Sequence, residues 1–188
     1  MKKTILLVAI LLVALAPDVQ AQLVRFGIKA GLNYANQTGS DITINSTNYS
    51  TTAITSYHAG LVAEIKLINS FSIQPELLYS TQGATYKYAV TEFKNELGYL
   101  SIPVLAKINL NKVFSLELGP QASFLLSERK NVDFKDANTF DFAVVGGLGI
   151  NLTKNFFIQG RYGLGLTDAS RDAEIKNSVV QVSAGIKF

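Results

Sequence analysis

The sequence predicts an all-β protein, an eight-stranded antiparallel up-and-down transmembrane β-barrel, on three observations. Apolar and polar residues alternate with period two along eight segments. Connections of about three residues alternate with long polar ones, the asymmetry of barrels that cross an outer membrane. The apolar faces of all eight segments carry no charged side chain.

Before the first strand comes a leader. Met1-Lys2-Lys3 is basic, 4–16 is apolar, Pro17 breaks the run, and Val19-Gln20-Ala21 puts small or neutral residues before a cleavage point at Gln22. Residues 1–21 therefore read as a cleavable signal peptide and 22–188 as one exported domain. After the leader no apolar run approaches the ~20 residues a membrane helix needs.

The first strand, 25–35, sends Phe26, Ile28, Ala30, Leu32 and Tyr34 to one side and Arg25, Lys29 and Asn33 to the other. The second, 56–67, sorts Tyr57, Ala59, Leu61, Ala63 and Ile65 against His58, Glu64 and Lys66. Only Ile68-Asn69-Ser70 separates it from the third, 71–82, so these two form a tight hairpin. There Phe71, Ile73, Leu77 and Tyr79 oppose Gln74, Glu76, Ser80 and Gln82.

The fourth strand, 97–109, places Leu100, Ile102, Val104, Ala106 and Ile108 opposite Tyr99, Ser101 and Lys107. The fifth, 113–126, places Phe114, Leu116, Leu118, Ala122 and Phe124 opposite Ser115, Glu117, Gln121 and Ser123. The sixth, 140–152, turns Phe140, Phe142, Val144, Leu148 and Ile150 away from Asp141 and Asn151. In the seventh, 156–167, Phe156, Ile158, Tyr162, Leu164 and Leu166 alternate with Gln159, Arg161 and Thr167. The eighth, 177–188, closes with Val180, Val182, Ala184, Ile186 and Phe188 against Gln181, Ser183 and Lys187.

Long polar connections are expected at 36–55, 83–96, 127–139 and 168–176. Strands of this length suit a tilted bilayer crossing, longer than the 5–6 residues usual in a sandwich. A sheet in hydrocarbon must close, because no backbone amide can be left unpaired there. Aromatic residues near the strand ends suit the two interfacial girdles. A soluble sandwich or lipocalin-like barrel is the alternative, and it would bury the apolar face.

Eight strands leave a lumen just wide enough for side chains. The inward charges Lys29, Glu64, Lys66, Glu76, Lys107, Glu117 and Arg161 are therefore expected to pair as a packed polar network, with a narrow ion or proton path as the sharper alternative. The composition excludes much else. Cysteine is absent and His58 is the single histidine, so disulfides and a multi-histidine metal site are ruled out and no cofactor is expected. The 17 basic and 14 acidic residues are scattered, which gives no footprint for nucleic acid. His58 is the one available imidazole base, with Ser56 beside it and Asp41 or Asp141 as orienters, but nothing in the spacing selects those partners and no enzyme is expected. The run Val145-Gly146-Gly147-Leu148-Gly149 sits mid-strand with no helix after it, so relief of crowding explains it better than a phosphate loop.

The mature chain resembles the porin-family, PorT-like outer-membrane barrel domain of Bacteroidetes. The resemblance rests on Phe26-Gly27-Ile28-Lys29-Ala30-Gly31-Leu32-Asn33, on Tyr99-Leu100-Ser101-Ile102-Pro103-Val104-Leu105-Ala106-Lys107, on Gly119-Pro120, on Gly147-Leu148-Gly149-Ile150 and on Arg161-Tyr162-Gly163-Leu164-Gly165-Leu166. It implies an integral protein of the cell outer membrane, in contact with its lipid. Some relatives serve a protein-secretion and gliding apparatus, which implies secretion-apparatus proteins as a partner class. The closing pattern, with Ile186 and Phe188 on its apolar face, resembles the signal read by the barrel-assembly machinery. A monomer is expected, with the long connections, 36–55 above all, contacting something outside the cell.

Overall fold

A computed structural model describes residues 23–38, 42–44, 47–88, 91–130, 139–168 and 176–188, with side chains at 23–36, 53–83, 97–127, 139–167 and 176–188. The leader at 1–21 lies outside the described residues.

The strands are β1 (Val24–Thr38), β2 (Ile42–Ile44), β3 (Thr47–Ile68), β4 (Phe71–Tyr88), β5 (Thr91–Asn109), β6 (Phe114–Lys130), β7 (Phe140–Asn151), β8 (Phe156–Asp168) and β9 (Lys176–Lys187). Each barrel strand pairs antiparallel with its neighbours, and β1 pairs with both β9 and β3, which closes the sheet on itself. Eight strands make the barrel. The ninth, β2, is a three-residue segment that pairs only with the outer end of β3.

Closure satisfies every barrel edge and leaves two very different surfaces. Leu32, Leu61, Leu118, Leu148 and Val182 stand exposed on the outside, while Lys29, Glu76, Lys107, Glu117 and Arg161 are buried inside. A water-soluble protein arranges these groups the other way round. The inversion follows from period-two alternation on a closed sheet whose outer solvent is hydrocarbon.

The short-turn ends of the strands fall where the alternation places them, and the other ends do not. The expected connection at 83–96 is mostly sheet: β4 and β5 stay paired as far as Tyr88 and Thr91. Likewise β3 begins at Thr47, inside the stretch expected as loop, and β6 runs on to Lys130. These residues continue the ladder beyond the apolar belt, where backbone pairing needs no lipid-facing side chain. At the transition Gly83 adopts φ 143°, a conformation that costs glycine little and side-chain-bearing residues much more. Nearby, Tyr57 N–H donates to Thr81 Oγ1 at 3.1 Å and Thr81 Oγ1 donates to Tyr57 O at 2.9 Å, so a side chain bridges the irregularity in the β3–β4 ladder.

Among the described residues the result is an uneven rim. β3, β4, β5 and β6 have 22, 18, 19 and 17 residues, against 12, 13 and 12 for β7, β8 and β9.

Candidate functional site

The interior holds the densest chemistry among the described residues, and it is stacked in layers. Nearest the short turns, Glu64 on β3 accepts from Lys187 on β9, and Lys107 on β5 lies 3.5 Å from the same carboxylate. Lys187 also sits over the Phe157 ring, 4.7 Å from its centroid. Lys107 reaches on to Glu117 on β6 at 3.7 Å.

Above it, Arg161 on β8 is the hub. Its Nη1 and Nη2 donate to the two carboxylate oxygens of Glu76 at 2.8 and 2.7 Å, a fork-to-fork pair. Its Nε and Nη2 also meet Glu117 Oε2, at 2.9 and 2.7 Å. Because β8 and β4 lie on opposite walls of the eight-stranded ring, this guanidinium spans the lumen. Lys29 on β1 completes the layer, 2.8 Å from Glu76 Oε2. Two amides fill the remaining valences: Gln74 Nε2 donates to Glu76 at 2.7 Å and Gln159 Nε2 to Glu117 at 2.8 Å. Four cations and three carboxylates are thus interleaved away from water. Such pairing offsets the desolvation each charge would otherwise carry alone.

The register explains why these groups can meet. Glu117 on β6, Gly147 on β7 and Arg161 on β8 stand in one row across the wall. A Cβ at position 147 would lie 2.8 Å from Arg161 Cγ, and one at position 149 would lie 2.9 Å from Glu117 Oε1. The glycine-rich run of β7 therefore clears the space that its neighbours' charged side chains cross.

Lys66 departs from the expectation. It lies exposed beside the β3–β4 hairpin, where the pairing shifts register between Lys66 and Ile68. It stands in the inward row, across from Ser72, but at the end of the strand where the lumen opens, and it enters none of the described ion pairs. Lys187 stands in the interior instead. The sequence did place Lys187 on the polar face, and that alternation was the available signal for it.

A neutral layer lies beyond the charges. His58 Nδ1 and Nε2 stand 2.7 Å from Asn33 Oδ1 and from Ser183 Oγ. Asn33 Nδ2 donates to Thr81 O at 2.7 Å, so its Oδ1 is the acceptor and the His58 proton sits on Nδ1. Nε2 then accepts from Ser183. The sequence offered Ser56, Asp41 and Asp141 as partners, and of these neither Ser56 nor Asp141 serves. Ser56 Oγ donates to Thr81 O at 2.6 Å, Asp141 accepts from Thr167 and Asn177, and Asp41 lies outside the described residues. Serine, imidazole and amide stand in the order of a nucleophile, base and orienter, yet all three are almost fully buried. A cavity at the long-connection end is lined by Gln82, Gln121, Asp141, Asn177 and Gln181 among others, and neither Ser183 nor His58 lines it. In this arrangement the hydrogen bonds hold a tautomer and tie β1, β3 and β9 together.

A family model described as an outer membrane protein beta-barrel domain matches residues 20–171. No curated relative matches the chain. Among solved structures, the chain is similar to OprG from Pseudomonas aeruginosa, with a TM-score of 0.56 at 15% identity over 88% of this chain and 96% of that one. It is similar to Neisserial surface protein A, with a TM-score of 0.55 at 15% identity over 87% and 97%. It is also similar to Ail, the attachment invasion locus protein of Yersinia pestis, with a TM-score of 0.54 at 15% identity over 89% and 100%. At that identity the likeness is one of fold.

Proposed function

The chain belongs to the outer membrane protein beta-barrel domain family, and from that premise we propose a non-enzymatic barrel that contacts partners outside the cell through the projecting ends of β3 to β6. The observation that carries the reading is the uneven rim. Four adjacent strands run several residues past their opposite neighbours and stay hydrogen-bonded as they do. Extending an ordered sheet that far costs backbone entropy, and a barrel that only filled the membrane would have no use for it. The interior supports the same reading from the other side: a lumen filled by ion pairs leaves the rim as the place for recognition.

The chemistry of the rim suits a neutral hydroxylated partner. One solved structure of Ail holds the heparin analogue sucrose octasulfate, a polyanion. Here the four long connections, 36–55, 83–96, 127–139 and 168–176, carry seven basic against nine acidic residues. The first of them is dense in Thr, Ser and Asn, which offer hydroxyl and amide groups. Adhesion of cells displaying the barrel to neutral and to sulfated glycan surfaces tests the reading. A variant that joins β1 to β3 and β4 to β5 by short turns, without the projecting ends of β3, β4 and β5, is expected to lose binding to neutral glycans while keeping its place in the membrane. Equal adhesion by both forms would end the proposal.

In this reading the leader is removed before Gln22, which N-terminal sequencing of the membrane-extracted protein checks. Ile186 and Phe188 are offered to the barrel-assembly machinery, so loss of Phe188 is expected to slow insertion. A PorT-like place among secretion-apparatus proteins is the alternative, and normal export in a deletion strain would count against it.

A further inference from the structure

The short-turn end of the barrel carries a rim with basic residues in excess. Lys66, Lys112 and Lys154 are exposed there, one in or beside each of the three hairpins, and Arg25 is half-buried at the start of β1. No aspartate or glutamate occurs within 65–71, 109–114 or 151–156. Glu64, on β3 before the first hairpin, is already held between Lys107 and Lys187, and the Phe188 α-carboxylate adds a single negative charge against the four cations. The opposite end is different in sign, with acidic residues in excess.

Two of these lysines are presented by hairpins built alike. In Leu110-Asn111-Lys112-Val113-Phe114, Asn111 Oδ1 accepts from Val113 and Phe114 N–H, both at 2.8 Å. In Leu152-Thr153-Lys154-Asn155-Phe156, Thr153 Oγ1 accepts from Asn155 and Phe156 N–H at 3.1 and 3.0 Å. The leucine N–H bonds the phenylalanine carbonyl at 3.0 Å in both. Each hairpin therefore holds one lysine at its apex between an exposed Leu and an exposed Phe. The third hairpin repeats the composition in another order, with Lys66 ahead of exposed Leu67 and Ile68. Arg25 adds to the cluster, because its Nη2 donates to the Lys154 carbonyl at 2.5 Å and so brings a second cation to that turn. Cations spaced around the rim, in excess over the acids at that end, favour anions.

We propose that this rim binds the phosphates of anionic phospholipids in the leaflet facing the short turns. The continuity of each lysine with the apolar belt selects a lipid over a free anion. The Leu and Phe beside it meet acyl chain while the ammonium reaches the headgroup, as amphipathic side chains do at an interface. Each basic residue at an anionic membrane surface strengthens association roughly fivefold, so the rim acts as an orienting collar that prefers phosphatidylglycerol-type headgroups to zwitterionic ones.

Native mass spectrometry of the folded barrel, released from detergent with equimolar phosphatidylglycerol and phosphatidylcholine, tests this. The wild type is expected to retain phosphatidylglycerol several-fold over phosphatidylcholine, and the triple variant Lys66→Gln, Lys112→Gln, Lys154→Gln to retain both equally. If the triple variant loses its heat-shifted gel mobility and hence its fold, Lys112→Gln and Lys154→Gln singly are each expected to lower the ratio. Equal retention by the wild type, or an unchanged ratio in the folded variants, overturns the proposal. Loss of the preference in excess inorganic phosphate but not in excess chloride would mark a small-anion site and overturn it too.

Discussion

Glu76 shows how much one carboxylate can hold in a lumen this narrow. It accepts both nitrogens of the Arg161 fork, the Lys29 ammonium and the Gln74 amide. Replacement by alanine would leave two buried cations short of their shared partner, and breaking such a pair costs about 3–5 kcal/mol. Glu76→Ala is therefore expected to lower the urea midpoint of the vesicle-folded barrel sharply. Glu64→Ala should cost less, since the Glu64 side chain is 13% exposed and water can take over part of its role. A larger loss at Glu64 than at Glu76 would show that the hub has been misplaced. At this scale the sequence revealed which residues point inward but not which ones meet. Arg161 and Glu76 are 85 residues apart, and His58 finds Ser183 at a separation of 125. Alternation assigns a side chain to a face, whereas partners across a lumen depend on strand stagger, which no local pattern encodes.

At the scale of the strand, depth in the membrane decides the effect of a substitution. Leu118 and Leu126 both stand 60% exposed on the outer face of β6, but Leu118 lies within the apolar belt and Leu126 near its upper edge. A lipid-facing arginine costs about 2–4 kcal/mol at the midplane and about 0–1 kcal/mol near an interface. Leu118→Arg is accordingly expected to destabilise the folded barrel far more than Leu126→Arg in the same urea titration. On β7, Gly147→Val should act from within, because its Cβ would press on Arg161 Cα and Cγ and push the fork off Glu117. Its expected cost exceeds that of Gly160→Val, where an added Cβ meets nothing within 4 Å. The strand cores and the tight hairpins were legible because lipid on one side and a polar lumen on the other force a strict two-residue period. Beyond the belt that constraint lapses. In 47–55, 84–88 and 91–96 polar residues occupy both faces, so the pattern resembles a loop although the backbone stays paired.

For the whole molecule, the question is whether the lumen opens. Ion pairs among seven of the eight barrel strands run across it, and the eighth, β7, contributes the glycines that let Arg161 and Glu117 meet. An ion crossing the barrel must pass the Arg161 guanidinium, which is tied at once to the β4 and β6 walls. Moving it aside would strip Glu76 and Glu117 of their strongest donor, and each orphaned carboxylate would carry a desolvation cost of several kcal/mol. The wild-type barrel is therefore expected to be silent in a planar bilayer. Arg161→Ala tests the cause of that silence, since it removes the bar and leaves two carboxylates facing the gap. If the variant folds, its expected signature is small conductance events that favour cations over anions. Steady conductance by the wild type would mean that the packed network yields more readily than its hydrogen bonds imply. Silence from a correctly folded variant would place the seal elsewhere, with the neutral layer of Asn33, His58 and Ser183 as the next barrier to remove.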